Sequence, residues 1–215
     1  MKKITLTLAC VSILFGLEMC TGRSNAKIPD AGKLMLSGGR SLNDELSDYA
    51  ADSNKKPKLV YLFSEKDILS TSFYWEYLGP YLSSGTVYHT FDLASNREIS
   101  LLDEIDPAKL SALKNKLKPV IREKLIEHRK KYSENEWIEA FGDKKTCDSS
   151  FNLSEVRDNL LGTYYLQNGV LTVVIDSYFA FPHVIQAMDF SFEWKLSFAE
   201  MGLYLKQRSV LNRLK

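Results

Sequence analysis

The alternation of apolar and polar positions predicts several β-strands. From Lys58 the chain runs through "KLVYLFSE", "SFYWEYL" and "SSGTVYHTFDL", which are rich in aromatic and β-branched residues. Short segments of this composition with a period near two are typical of strands. In "TYYLQNGVLTVVID", residues 163–176, Asn168-Gly169 separates two such runs. Because this dipeptide suits a type I′ turn, it predicts an antiparallel hairpin.

The last long strand has the clearest alternation, in "MDFSFEWKLSF" over residues 188–198. Its apolar set is Phe190, Phe192, Trp194, Leu196 and Phe198, and its polar set is Ser191, Glu193, Lys195 and Ser197. A strand of this kind turns one face to the core and the other to water.

Two segments have helical spacing. In "SLNDELSDYAADS", Ser41 and Asp44 are placed as in a capping box at the start of a short amphipathic helix. A longer helix begins at Asp106-Pro107 and carries an apolar stripe. That stripe consists of Leu110, Leu113, Leu117, Ile121 and Leu125. Pro119 lies inside the pattern and is expected to kink or divide the helix.

These elements together predict the α+β class, with an antiparallel sheet of about six or seven strands packed against helices. The long helix also carries many lysines and arginines, which we interpret as a solvated face because Glu123 and Glu127 dilute the charge. Contact of this face with phosphates, teichoic acid or an acidic protein is the alternative. Residues 132–152 are expected to form a loop with a fragment of helix around Trp137 to Phe141.

The N-terminal residues predict that the protein is exported. Met1-Lys2-Lys3 precedes an uncharged, mainly apolar run over residues 4–17, which is shorter than the roughly 20 residues of a membrane-spanning helix. This order of charge and apolar residues is typical of a secretory signal. Small residues at Ser24-Asn25-Ala26 favour cleavage after Ala26, whereas Cys20 offers the alternative of a lipidated cysteine.

We therefore divide the chain into a signal peptide (1–26), an N-terminal segment (27–40) and one domain (41–215). The protein is expected to be extracytoplasmic: in the periplasm, in the cell envelope or secreted, and lipid-anchored if Cys20 is modified. Lys and Arg total 28 against 27 acidic residues, a formal net charge of +1. Because no strong field of one sign results, we expect no nucleic-acid partner, and membrane contact only through such an anchor.

Candidate chemistry is sparse. The sequence has no Gly-x-Ser-x-Gly, His-Glu-x-x-His, P-loop or paired Cys-x-x-Cys motif, so no catalytic residue, metal site or cofactor is assigned. Cleavage after Ala26 would leave Cys147 as a lone cysteine, interpreted as an incidental surface residue in a polar loop. His128 is expected to be solvated, and His89 to pack or hydrogen-bond within a strand.

The order of the motifs resembles one family: the extracytoplasmic domain of the anti-sigma factor RsiV and of the peptidoglycan deacetylase PdaC. The matching segments are "HTFDLASNREISLLDEI", "GTYYLQNGVLTVVIDSYFAFPH" and "DFSFEWKLSFAEMGLYL". The C-terminal half of that family is a domain of unknown function. This chain departs from the pattern in a shorter loop before Phe91 and in the residues after Pro182. The catalytic chemistry of the deacetylase lies in a separate, appended domain, which no segment of this sequence resembles.

The resemblance implies an exported, non-catalytic envelope module that binds a cell-wall component such as peptidoglycan, or a lysozyme-like protein. The loop after the Asn-Gly hairpin is the expected binding surface, through Asp176, Tyr178, Phe181 and His183. Its exposed aromatic rings would offer contact area at a low entropy cost. The alternative is a small cell-wall-active hydrolase that uses His183 together with nearby acids and a phenol.

Overall fold

The structure is a computed structural model that describes residues 29–53, 56–78, 82–153, 155–176, 188 and 190–215. The helices are α1 (Leu42–Asp52), α2 (Leu101–Glu104), α3 (Pro107–Arg129), α4 (Glu134–Phe141), α5 (Lys144–Phe151) and α6 (Phe198–Gly202). The strands are β1 (Leu59–Glu65), β2 (Ile68–Leu78), β3 (Leu82–Asp92), β4 (Arg97–Glu98), β5 (Tyr164–Gln167), β6 (Val170–Asp176) and β7 (Ser191–Ser197). The predicted α+β class is confirmed.

The strands of the described residues form two antiparallel sheets rather than one. Sheet 1 has the order β1-β2-β3-β4, and sheet 2 has the order β5-β6-β7. The sheets meet where β5 lies against sheet 1, yet the backbone N–H of Leu166 donates to the Ser70 hydroxyl at 3.1 Å rather than to a strand. Among the described residues the two sheets therefore meet through a side-chain hydrogen bond and share no backbone ladder.

The hairpin predicted at Asn168-Gly169 is present between β5 and β6. Both turn residues have positive φ, 50° and 77°, as a type I′ turn requires. The predicted phase of β7 is also confirmed, because Trp194 and Leu196 are buried and Glu193 and Lys195 are exposed. The capping box of α1 forms as well: the Ser41 side chain accepts from the backbone of Asp44, and the Asp44 side chain accepts from the backbone of Ser41.

The long helix is continuous through Pro119, so the proline does not divide it. Proline removes one backbone donor and frees the carbonyl one turn earlier, that of Asn115. Both residues are exposed, so water can bond this carbonyl. The buried stripe of the helix is Leu113, Leu117, Ile121, Leu125 and His128. The basic residues of its other face meet acids in the pairs Lys114–Asp158, Lys116–Glu200, Lys124–Glu127 and Arg129–Asp148.

The predicted solvation of His128 is wrong. Its side chain extends the apolar stripe of α3 by one further turn and is 4% exposed. The ring Nε2 lies 2.5 Å from the Met188 carbonyl, to which it donates, and the ring stacks on Phe190 at 4.1 Å between centroids. A helical spacing of three after Leu125 was the signal for burial.

The predicted surface position of Cys147 is also wrong. Residues 144–151 form α5, in which the Asp143 side chain accepts from the backbone N–H of Thr146 at the first turn. Cys147 and Phe151 are four residues apart on one helical face, and the thiol is buried in the main core. Burial raises the pKa of the Cys147 thiol, so it behaves as a small apolar side chain.

Two hydrophobic clusters hold the fold. The main core lies among α3, the helices after it, sheet 2 and the start of β2, and it includes Phe63 and Ile68. A smaller second core lies beneath α1 on the other face of sheet 1. It consists of Leu34, Leu42, Leu69, Phe73 and Phe91. Sheet 1 is therefore covered on both faces near the β1–β2 turn.

Candidate functional site

The predicted binding loop lies almost entirely outside the described residues. Asp176 is exposed at the end of β6, where it pairs with Ser191 of β7. Tyr178, Phe181 and His183 lie outside the described part of the chain, as do Cys20 and the segment 1–26. Their roles remain predictions.

One histidine does lie in a cluster of acids. His89 of β3 has its Nε2 at 2.7 Å from Glu45 Oε2 and its Nδ1 at 2.6 Å from Glu98 Oε1. The second oxygen of Glu98 accepts from both the backbone N–H and the hydroxyl of Ser37, at 2.9 and 2.8 Å. This cluster joins α1, β3, β4 and the segment before α1.

The electrostatics of His89 favour a structural role over a catalytic one. Burial alone would lower its pKa, but hydrogen bonds to Glu45 and Glu98 outweigh burial and raise the pKa to about 9. The ring is therefore an imidazolium at neutral pH, and both nitrogens donate to carboxylates. With no lone pair left, His89 neither accepts a proton nor ligates a metal ion. The prediction that it forms a hydrogen bond within a strand is confirmed.

The best candidate for binding lies on the opposite face of sheet 1, which we call the tyrosine face. It is defined by Lys58, Val60, Ser72, Tyr74, Glu76 and Thr86. Strand register builds it: Val60 pairs with Ser72 and Tyr74 pairs with Thr86. Directly opposed residues of antiparallel strands point to the same side, so these side chains form a compact patch.

The tyrosine face borders an open cavity of about 370 Å³, to which Ser53 and Lys56 also contribute. Tyr74 is 51% exposed, and Val60 beside it is 39% exposed. The Tyr74 hydroxyl donates to Glu76 at 3.2 Å, and both residues line the cavity. Apolar surface with a few convergent polar groups is the usual character of a ligand site.

The strands that carry the tyrosine face pack against α1 on their other side. Trp75, next to Tyr74 but on the other side of β2, lies across Gly85, where a Cβ would come within 3.0 Å of the indole nitrogen. Tyr49 of α1 packs against Trp75 at 5.5 Å and against Phe73 at 5.2 Å between ring centroids. Gly85 thus admits the indole, and the aromatic packing holds this part of the hairpin to α1.

Charge along the rim of this face is unbalanced. Lys56 and Lys58 are exposed, and neither forms an ion pair with another described residue. Glu76 is the acid that lines the same cavity. A second cavity of about 430 Å³ along α3 differs, because its Lys114 is already paired with Asp158 at 2.7 Å. The tyrosine face therefore offers cations that are available to a ligand.

The sequence interpretation missed this face, although part of its signal was present. "KPK" places Lys56 and Lys58 two positions apart. "SFYWE" places Ser72, Tyr74 and Glu76 at alternate positions of a predicted strand. Alternation shows that two faces differ, but it does not show which of them a neighbouring layer covers. Glu45 and Glu98 were missed as partners of His89 because the three residues meet only in the tertiary structure.

Solved structures similar to this chain include two from the DUF3298 family. One is a DUF3298 family member from Bacteroides fragilis, 17% identical with a TM-score of 0.43, and the match covers 81% of this chain and 64% of that one. The chain thus spans less than two thirds of that protein. The other is a DUF3298 family protein from Pseudomonas aeruginosa, 13% identical with a TM-score of 0.42, covering 81% of this chain and 71% of that one. DUF3298 is a domain of unknown function.

Neither a protein-family model nor a curated protein matches this sequence. Among the residues that the structure describes, no helix has the length and apolar character to cross a bilayer. Across the same residues, no group of three or more His, Cys, Asp or Glu side chains is arranged to hold a metal ion.

Proposed function

We propose that this protein is an exported, non-catalytic module of the bacterial envelope that binds a cell-wall glycan through the tyrosine face. The observation that carries the proposal is Tyr74, which is half exposed beside a cavity that the hydroxyl-bearing residues Ser72 and Thr86 also line. A sugar ring presents apolar C–H groups on its faces and hydroxyls around its edge. An aromatic ring flanked by hydroxyl groups complements both.

Export is supported by the N-terminal sequence, in which a short charged start is followed by an apolar run to residue 17. The resemblance to the extracytoplasmic domain of RsiV and PdaC supports a location at the cell wall. Fractionation of cells that express the full chain, beside a version without residues 1–26, tests this part. We expect the full chain outside the cytoplasm and the truncated chain inside. Retention of the full chain in the cytosol would contradict export.

A binding role is supported over a hydrolytic one by the state of the described histidines. His89 is held as an imidazolium between two carboxylates, and His128 donates to a backbone carbonyl in the main core. The hydrolase alternative would therefore depend on His183. It predicts muropeptide release that disappears in a His183→Ala variant.

The tyrosine face can be tested against a control on the same strand. Tyr77 is 43% exposed and lies on the opposite side of β2 from Tyr74, so Tyr77→Ala removes the same chemical group from the other face. The full chain and both variants are incubated with purified sacculi, and bound protein and released muropeptides are measured in one tube. We expect Tyr74→Ala to weaken retention at least about ten-fold and Tyr77→Ala to leave it unchanged.

Circular dichroism and thermal unfolding of both variants confirm that the fold is retained. Equal loss of retention in the two variants would contradict a site on the tyrosine face. Muropeptide release that depends on His183 would replace the proposal with the hydrolase. A parallel capture experiment with lysozyme in place of sacculi tests a protein partner. Binding to lysozyme but not to sacculi would also contradict a glycan as the ligand.

A further inference from the structure

We infer that the glycan bound by the tyrosine face is anionic and places its acidic groups against Lys58 and Lys56. This inference rests on the proposed function and specifies the class of ligand. It comes from the placement of two lysines relative to Tyr74, and from the absence of acidic partners for them among the described residues.

The strand register brings Lys58 close to the tyrosine ring. Leu59 pairs with Phe73 and Val60 with Ser72, so the position before β1 lies across from Tyr74. Lys58 and Val60 are two residues apart and both line the cavity. Directly opposed residues of antiparallel strands have their Cβ atoms about 5 Å apart, so Lys58 is within reach of one sugar unit stacked on Tyr74.

Lys56 continues this row by a further two residues and also lines the cavity. Two ammonium groups thus stand along one rim, against the single carboxylate of Glu76 among the lining residues. Glu76 already accepts from the Tyr74 hydroxyl. The local charge of the cavity is positive, although the whole chain is close to neutral, with a formal net charge of +1.

A neutral glycan would fit this cavity poorly. Covering an ammonium group with a ligand strips water from it, and this is costly unless an anion or several acceptors replace the water. Acidic substituents replace the water with charge-assisted hydrogen bonds, which are the stronger kind. Carboxylate and phosphate both provide this chemistry, and the ammonium group of lysine accepts either.

The experiment measures binding of the full chain to three soluble probes by calorimetry. They are chitohexaose, which is neutral, an oligogalacturonate of the same length, which carries carboxylates, and a phosphomannan oligosaccharide, which carries phosphates. We expect at least one acidic probe to bind about ten-fold more tightly than chitohexaose, and this advantage to fall as salt rises. The tighter of the two acidic probes identifies the acidic group.

Lys58→Gln removes the lysine charge that lies across from Tyr74, and Lys109→Gln removes an exposed lysine of α3 as a matched control. We expect Lys58→Gln to abolish most of the preference for the acidic probe, because the acidic probe loses its counter-ion and chitohexaose no longer covers an unpaired ammonium group. Lys109→Gln should change the binding of neither probe. Unfolding temperatures of both variants exclude a loss of fold as the cause.

Equal affinity for neutral and acidic probes, or an unchanged preference in Lys58→Gln, would overturn the inference while Tyr74-dependent retention on sacculi still supports the proposed function. Failure to bind any soluble probe, with Tyr74-dependent retention intact, also overturns it. Loss of both soluble binding and sacculus retention overturns the inference and the proposed function together.

Discussion

The two ends of one face of the β2–β3 hairpin have opposite environments. At the end near the β1–β2 turn, Ile68, Ser70 and Thr90 are at most 1% exposed, because β5 and the main core cover them. At the far end, Tyr74 is 51% exposed and Thr86 beside it is open. The same alternation of side chains along β2 thus supplies core at one end and a candidate ligand surface at the other.

The difference arises because β5 packs on this face at one end of the hairpin, where the backbone N–H of Leu166 bonds Ser70. β2 and β3 span Ile68–Leu78 and Leu82–Asp92, whereas β5, the strand that lies against them, spans only Tyr164–Gln167. A four-residue strand covers about 13 Å, less than half the length of the hairpin. The uncovered part keeps its second face packed on α1, so it is ordered without being buried on both sides.

Truncation of the buried end gives the largest expected effect. Ile68→Ala removes a fully buried side chain from the main core and should lower the free energy of unfolding by about 2–5 kcal/mol. Tyr74→Ala, six positions along the same face, should cost under about 1 kcal/mol because its ring is half exposed. Urea unfolding of both variants measures the difference. Comparable losses would show that the far end is covered too.

The second prediction concerns the ion pairs of His89 with Glu45 and Glu98, which hold α1 against sheet 1. A His89 pKa raised from 6.5 to about 9 means that the folded state binds the proton more tightly. The stabilisation of the folded state by protonated His89 is therefore full below about pH 6.5 and is lost as pH rises through 9. His89→Gln should cost about 2–3 kcal/mol at pH 6, and the cost should shrink toward pH 9.

Urea unfolding of wild type and His89→Gln across pH 6–9 measures this trend. Glu98→Gln is a useful companion, because it removes one of the two carboxylates that raise the pKa of His89. The pH at which its stabilisation fades should move downward in that variant. If His89→Gln destabilises the protein equally at pH 6 and pH 9, ion pairs of the His89 imidazolium are excluded as the source of this stability.

The smallest expected effect comes from a hydroxyl at the junction of the two sheets. Ser70 accepts from the Leu166 backbone and lies 3.1 Å from the Thr90 hydroxyl oxygen, all of it buried. Ser70→Ala leaves the Leu166 N–H without its acceptor and should cost about 1–2 kcal/mol. Ser84→Ala, at the exposed end of the same face, should cost under about 0.5 kcal/mol.

Chemical unfolding of this serine pair shows whether the junction depends on the side-chain bond. Faster amide exchange at Leu166 in Ser70→Ala would locate the effect at the junction. If the two serine variants unfold at the same denaturant concentration, the hydroxyl contributes nothing and packing alone holds the sheets together.

Much of the local structure could be predicted from sequence because its causes are local. Asn168-Gly169 tolerates the positive φ values of its turn, and Ser41 with Asp44 caps α1 through bonds within one turn of the helix. The alternation along β7 matched its buried and exposed sides. These features depend on residues a few positions apart, so the chain carries the full information for each.

The environments of single polar residues were predicted less well. His128 and Cys147 were interpreted as solvated because their neighbours in sequence are charged, yet both are buried by residues from other elements. Their helical spacing from Leu125 and to Phe151 indicated a buried face, and the polar neighbours obscured it. The acids around His89 come from α1 and β4, so no local pattern predicts the raised pKa.

The sequence by itself determined the class of elements, their order, the main turns and the apolar stripe of α3, since each follows from backbone preference and periodicity over a short span. It also predicts the leader over residues 1–26. Only the tertiary structure decided that seven described strands divide into two sheets, and that the face with Tyr74 stays open. The physical reason is that coverage depends on where a neighbouring layer packs: β5 packs against Ser70 and leaves Tyr74 exposed.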